Sequence, residues 1–167
     1  IISNQNYLKK VTERLNCLPL NIVEYNLARK DVKVESGNLS AAFERMISEP
    51  KSKQKHTQDI HKFVVLNHML SSAIAAIAAN LPDKNSISLP AQLKLARHAQ
   101  IVLREISKKL GVATDVPAEG VVVETQNNLS DSSLDNSQAD VLFLEDQLRF
   151  ILKINLDIAK ITDEILK

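Results

Sequence analysis

"NIVEYNLARKDVKVESGNLSAAFERMISEPKSKQKH", residues 21 to 56, is the stretch on which the fold turns. Read every third or fourth position, it presents Ile22, Tyr25, Arg29, Val32, Ser36, Leu39, Phe43 and Met46. The steps alternate between three and four, the spacing that puts residues on one face of a long helix. A sustained heptad seam of this kind packs nearly parallel or antiparallel to its neighbours. Gly37 weakens the helix without stopping it. Pro50 stops it, because a proline pushes the residue before it out of helical geometry. Lys51, Lys53 and Lys55 follow, and cations just past a helix C-terminus complement its dipole. Arg45, Glu49 and Pro50 are expected to shape this turn rather than to perform chemistry.

The same spacing recurs outward in both directions. Residues 57–80 carry Ile60, Phe63, Asn67, Leu70, Ile74, Ile77 and Leu81, with Thr57 expected as the N-cap. Residues 89–110 place Ala96, Ala99, Leu103, Ile106 and Leu110 on one side. Lys94, Arg97, Arg104, Lys108 and Lys109 make the other side basic. Pro90 suits a first turn and Gly111 a C-terminal cap. Residues 139–165 repeat the seam through Val141, Leu144, Leu148, Ile151, Asn155, Ile158, Thr162 and Ile165, broadened by Gln147, Ile154 and Ile161. A shorter segment, about 4–18, carries Leu8, Val11 and Leu15, with Ser3 or Asn4 as its expected cap. Between 112 and 138 lie Asp115, Glu119, Glu124, Asp131 and Asp135 and no Lys or Arg, which reads as a flexible acidic loop. The expected architecture is all-α: one domain over 1–167, an antiparallel bundle of four long helices plus a shorter N-terminal helix. The long helices are expected to form the core, with the short one continuing into the second or packing across an end.

Composition agrees. Three Gly, no Trp and 4% aromatics in 167 residues favour helices over strands. A net charge of +1 argues against nucleic acid as a partner. Cys17 is the single cysteine, so neither an internal disulfide nor a cysteine-based metal site forms. The longest uninterrupted apolar run is "AIAAIAA", 73–79, short of the roughly 20 residues that span a bilayer. The chain opens on Ile-Ile rather than Met, so a processed chain or an excised piece of something longer is expected.

The polar residues inside apolar seams are the candidates for function. Arg29, Ser36, Asn67 and Asn155 read first as register devices. Their sharper reading is an anion pocket around Arg29 and Asn67, which would make the chain a small-ligand sensor. His68, beside Asn67, is expected to hydrogen-bond within the bundle, and His61 to lie at the surface. No His-x-x-x-His pair, nucleophile motif or glycine-rich phosphate loop occurs, so no catalytic residue, metal or cofactor is assigned and no enzyme is expected. Lys51 and Lys53 remain a candidate contact for anionic headgroups.

Three stretches in order, "YNLARKDV" (25–32), "NLSAAFERMISEPKSKQ" (38–54) and "FVVLNHMLSSAIAAIA" (63–78), resemble the C-terminal soluble region of fusaric-acid-resistance-type (FUSC) membrane proteins, with "LEDQLRFILKI" (144–154) resembling their last helix. Residues 83–138 carry no such resemblance. The resemblance implies a cytoplasmic domain of a multi-pass bacterial inner-membrane exporter, with efflux of aromatic acids or related compounds in the parent protein. It implies a structural, assembly or regulatory role here. The partners implied are the membrane part of the parent chain, a nearby bilayer, and a second copy. Lys9, Lys10 and Arg14 would then be positive-inside residues. A free-standing helical interaction or oligomerisation module stands as the alternative.

Overall fold

Backbone amides satisfied within one segment, and few residues that oppose helix, produce five helices: α1 (Ile2–Leu15), α2 (Ile22–Ser48), α3 (Thr57–Ala79), α4 (Pro90–Lys109) and α5 (Leu134–Ile165). The computed structural model describes residues 1–16, 18–19, 21–81, 90–112 and 134–167, with side chains from 141 onward in α5. Among the described residues there is no strand. The all-α bundle expected from the seams is present. Cys17 and most of the acidic stretch 112–138 lie outside the described residues, and residues 134–138 of that stretch already belong to α5.

Side-chain contacts fix the helix directions. Asn4 meets Asn67, and Arg14 further along α1 meets the Leu81 carbonyl, so α1 and α3 run parallel. Thr12 meets Gln100 while Gln5 meets Ser107, so α4 runs against α1. Asn155 meets Ala99 and Asp163 meets Lys109, so α4 and α5 run parallel. α1, α3, α5 and α4 therefore form a closed square, each touching the next. α2 touches only α1 and α3 and rides on the outside.

This placement reverses the expected roles of the first two helices. α1 is short but buries Asn4, Gln5, Tyr7, Leu8, Val11, Thr12 and Leu15. α2 is nearly twice as long and buries only Ala28 and Val32. Its seam does face inward at Val32, which is buried, and at Tyr25, Ser36, Leu39, Phe43 and Met46, which are only partly buried. Ile22 and Arg29 fall outside the contact, because Ala28 takes the inward position and lets α2 approach α1 closely. The core of the square is aliphatic, with Leu8, Leu70, Ile74, Leu103, Ile106, Leu148, Ile151 and Ile158 almost fully enclosed. Each such side chain contributes roughly 1.5–3 kcal/mol on burial. α3 is long and apolar enough to cross a membrane by length and composition. In this structure it is the helix that touches α1, α2 and α5, and seven of its residues are buried against them.

The helix ends show why the elements stop where they do. Asn21 caps α2 by accepting from the Val23 and Glu24 amides. At the other end of α2 the cap comes from beyond the proline. The Gln54 amide donates to the carbonyls of Ile47 (2.8 Å) and Glu49 (2.7 Å), while Ser48 Oγ donates to the Arg45 carbonyl. Arg45 and Glu49 thus enter the turn through their backbones, and Gln54 is the side chain that closes it. His56, at φ 51°, reverses the chain into α3, so Thr57 is the first helical residue rather than the cap. Asn4 does not cap α1, which starts at Ile2; it lies inside the bundle. Gly111, at φ 70°, ends α4 with its amide on the Lys108 carbonyl and the Val112 amide on that of Ser107, the paired bonds of a Schellman end.

The burial pattern predicts a contrast. Leu8→Ala, in α1, should cost about 2–5 kcal/mol of unfolding free energy. Leu27→Ala, on the outer helix and 54% exposed, should change it by no more than about 0.5 kcal/mol. Urea denaturation of the two variants measures both; equal losses would contradict the outside position of α2.

Candidate functional site

Two features stand out from the aliphatic core: a polar layer where α1, α2 and α3 meet, and an apolar groove between α3 and α5. The polar layer is built on Asn4 and Asn67, both buried. Asn4 Nδ2 donates to Asn67 Oδ1 at 3.1 Å, Ser71 Oγ donates to Asn4 Oδ1 at 3.0 Å, and Ser36 Oγ lies 3.4 Å from Ser71 Oγ. Buried amides must be paired, since an unmatched one costs about 1–3 kcal/mol. Here they pair with one another. None of the four side chains is charged. Arg29 is exposed on α2, so the pocket expected around Arg29 and Asn67 does not form. Asn155 fits the register reading too, donating Nδ2 to the Ala99 carbonyl at 3.1 Å across the α4–α5 interface.

One helical turn further, Ser40 Oγ and His68 Nε2 lie 2.8 Å apart and bridge α2 to α3, the hydrogen bond expected of His68. The pair resembles a nucleophile with its base, but the surroundings do not support acyl transfer. No carboxylate pairs with His68 among the described residues. The amides flanking Ser40 are engaged along α2, so none is left to hold an oxyanion. The described residues contain no group of three or more His, Cys, Asp or Glu able to hold a metal. His61 is exposed and stacks on Phe43, ring centroids 5.3 Å apart.

The other sequence candidates do not converge. Lys51 and Lys53 are exposed in the turn after α2, as are Arg45 and Glu49 at its end, far along the bundle from Arg29. Of the cations near the N-terminus, Lys10 is committed: its ammonium donates to Glu24 at 2.6 Å and Glu13 at 3.0 Å. The hydrogen bond to Glu24 raises the Lys10 pKa, and the same bond holds the Glu24 carboxyl below its usual range. Arg14 donates to the Leu81 carbonyl at 3.1 Å. Burial, and then the hydrogen bond to Tyr25, push the Tyr7 hydroxyl well above the ordinary phenol range.

The groove was not legible as a site in the sequence. Val65, Met69 and Ala76 line it from α3, one to three turns apart on the same stripe, with His68 beside them. Gln147 and Phe150 line it from α5. It is open, about 510 Å³, and overwhelmingly apolar. Val65, Met69 and Phe150 keep 43%, 39% and 41% of their surface in solvent, with Phe143 two turns back along α5 and similarly exposed. The small side chains of Ser72, Ala73 and Ala76 leave the space between the helices that larger residues would close. Such a trough accepts apolar side chains of an incoming segment, with the Gln147 amide and the His68 ring as its polar points. No family model matches the chain, and neither a curated protein nor a solved structure matches it.

The polar layer carries a testable consequence. Asn67→Leu should destabilise by about 1–3 kcal/mol because Asn4 loses its acceptor inside the core. Adding Asn4→Leu should return part of that loss, since both amides are then gone. A double-mutant cycle by chemical denaturation reads the coupling, and strictly additive effects would show the pair to be independent.

Proposed function

We propose that this chain is a contact-making helical domain whose working face is the α3–α5 groove, serving as the cytoplasmic accessory domain of a FUSC-type inner-membrane exporter. The observation that carries the contact role is that exposed apolar side chains, Val65, Met69 and Phe150, line one open trough between two helices, whereas other exposed apolar residues such as Val23, Leu27 and Ile101 do not line it. Exposed apolar surface of this kind marks a place where another chain is covered. The membrane setting is supported by the order of "YNLARKDV", "NLSAAFERMISEPKSKQ" and "FVVLNHMLSSAIAAIA" along the sequence. On this reading the partner is the membrane part of the same parent chain, and the domain assists assembly or regulation of efflux. The transported compounds, aromatic acids or related molecules, are handled by the membrane part.

Two measurements test the two halves. Met69→Asp with Phe150→Asp alters exposed positions and should leave the melting temperature within a few degrees. It should reduce recovery of the parent protein's membrane assembly at least tenfold in a co-purification from detergent; unchanged recovery would remove the groove from the proposal. Reporter fusions to the end of the chain in the parent protein should be active in the cytoplasm. A periplasmic signal, or a parent without membrane spans, would leave a free-standing interaction module as the better reading.

A further inference from the structure

On the far side of the bundle from the groove, α4 turns a second stripe to solvent. Lys94, Arg97, Ile101, Arg104 and Lys108 follow one another by three, four, three and four, so they line one face. That face flanks Ala96, Ala99, Leu103 and Ile106, which are buried: Lys94, Ile101 and Lys108 are exposed, and Arg97 and Arg104 lie half-buried at its edge. The stripe runs about 21 Å along the helix axis. His98 borders it, exposed. Its one acidic residue, Glu105, is engaged by Lys108 at 3.0 Å. Lys109 is spent on Asp163 of α5 at 2.6 Å. Lys94, Arg97 and Arg104 make no ion pair or hydrogen bond with any described residue. Arg104 is the most telling of the three, because its Nε is buried and still without an acceptor. With no carboxylate beside it among the described residues, the Arg104 guanidinium keeps its charge available to an anion from outside through its terminal nitrogens.

The form of the stripe indicates which anion. A free phosphate would want donors converging on one point, whereas these cations are strung along a straight helix. Nucleic acid would want a strong basic excess and aromatic side chains for stacking; the chain carries a net +1, and no aromatic residue lies on α4. A flat row of cations with an apolar side chain at its centre, Ile101, 55% exposed, matches a flat anionic surface. We infer that the outer face of α4 is a docking surface for a membrane rich in anionic lipid, held by Lys94, Arg97, Arg104 and Lys108 with Ile101 set among the headgroups. The inference does not rest on the groove or on the nature of the parent protein, since the chain alone carries the face.

The test is sedimentation of the full 167-residue chain with vesicles of phosphatidylcholine, with and without phosphatidylglycerol, at low and high salt. The chain should partition onto the phosphatidylglycerol vesicles at low salt and come off at high salt. Each charge contributes about fivefold, so Lys94→Gln, Arg97→Gln and Arg104→Gln together should lower partition by about a hundredfold. Circular dichroism checks that the variant is folded. Lys30→Gln with Lys33→Gln, on exposed positions of α2, should bind like the unaltered chain. Equal binding to both vesicle types, or undiminished binding by the α4 variant, overturns the inference. So does release by millimolar inorganic phosphate at constant ionic strength, which would make the face a small-anion site. Preferential binding to a single-stranded RNA oligonucleotide would overturn it, and so would carbodiimide cross-linking of Lys94 or Lys108 to the acidic residues of 113–133 together with no vesicle binding.

Discussion

The structure depends on how α1 is enclosed. A helix of fourteen residues flanked by α2, α3 and α4 has almost no side left for water. Its apolar residues gain by that burial, but Asn4, Gln5 and Thr12 go in with them. Each must then find a partner on a particular neighbour. Asn4 finds Asn67 on α3, Gln5 lies at Ser107 on α4, and Thr12 accepts from Gln100 on α4. Aliphatic contacts would tolerate sliding by a turn. These pairings do not, since a shift strands a buried amide or hydroxyl at a cost of about 1–3 kcal/mol each. The polar residues of α1 therefore set the register of the square, while Leu8, Val11 and the facing isoleucines supply most of its stability.

Once α1 and α3 are parallel neighbours, the chain between them has to come back along the bundle. α2 is that return, about 40 Å of helix laid over the α1–α3 seam. This explains why so long a helix buries so little. It is held by Lys10 to Glu24 and Tyr7 to Tyr25 at one end, and by Ser36, Ser40 and Phe43 toward the other. The parallel pair α4 and α5 raises the same requirement. From the end of α4 to the start of α5 the chain must travel on the order of 45 Å, within the roughly 70 Å that a segment as long as 113–133 can reach. Two parallel pairs with two long returns make the up-up-down-down form of the four-helix bundle, with one return itself helical.

The helices, their ends and the inward faces of α3, α4 and α5 were readable from spacing, because a residue enclosed on one side repeats every three or four positions. Pro50, Pro90 and Gly111 marked boundaries for backbone reasons that operate locally. What spacing could not supply was which helix lies in the middle. α2 has the more regular seam, yet a seam half-covered by two neighbours looks the same in sequence as one fully enclosed. α1 looked marginal because Asn4, Gln5 and Thr12 count as polar until their partners, far along the chain, are known. Arg29 looked buried for the converse reason: it sits one position from Ala28, and the seam cannot distinguish the two. The start of α5 at Leu134 rather than Ala139 is the ordinary imprecision of a helix end in a Ser- and Asp-rich stretch.

The surfaces follow from the same geometry. In a square of four helices every interhelical seam has an outer side, and α2 covers only that between α1 and α3. Among the described residues, nothing covers the apolar stripe of the α3–α5 seam or the basic stripe of α4. The first offers depth, made by Ser72, Ala73 and Ala76 where bulkier residues would fill the trough. The second offers length and charge without depth, because Lys94, Arg97, Arg104 and Lys108 stand on the ridge of a single helix. Depth with apolar walls selects side chains of another polypeptide, since only a shaped apolar insert displaces the water there. A shallow ridge of cations cannot select shape and responds to charge density instead, which is the property of a surface. Because α2 lies over the α1–α3 seam, the described residues leave both the apolar trough and the basic stripe open to solvent, the first suited to a shaped partner and the second to a charged surface.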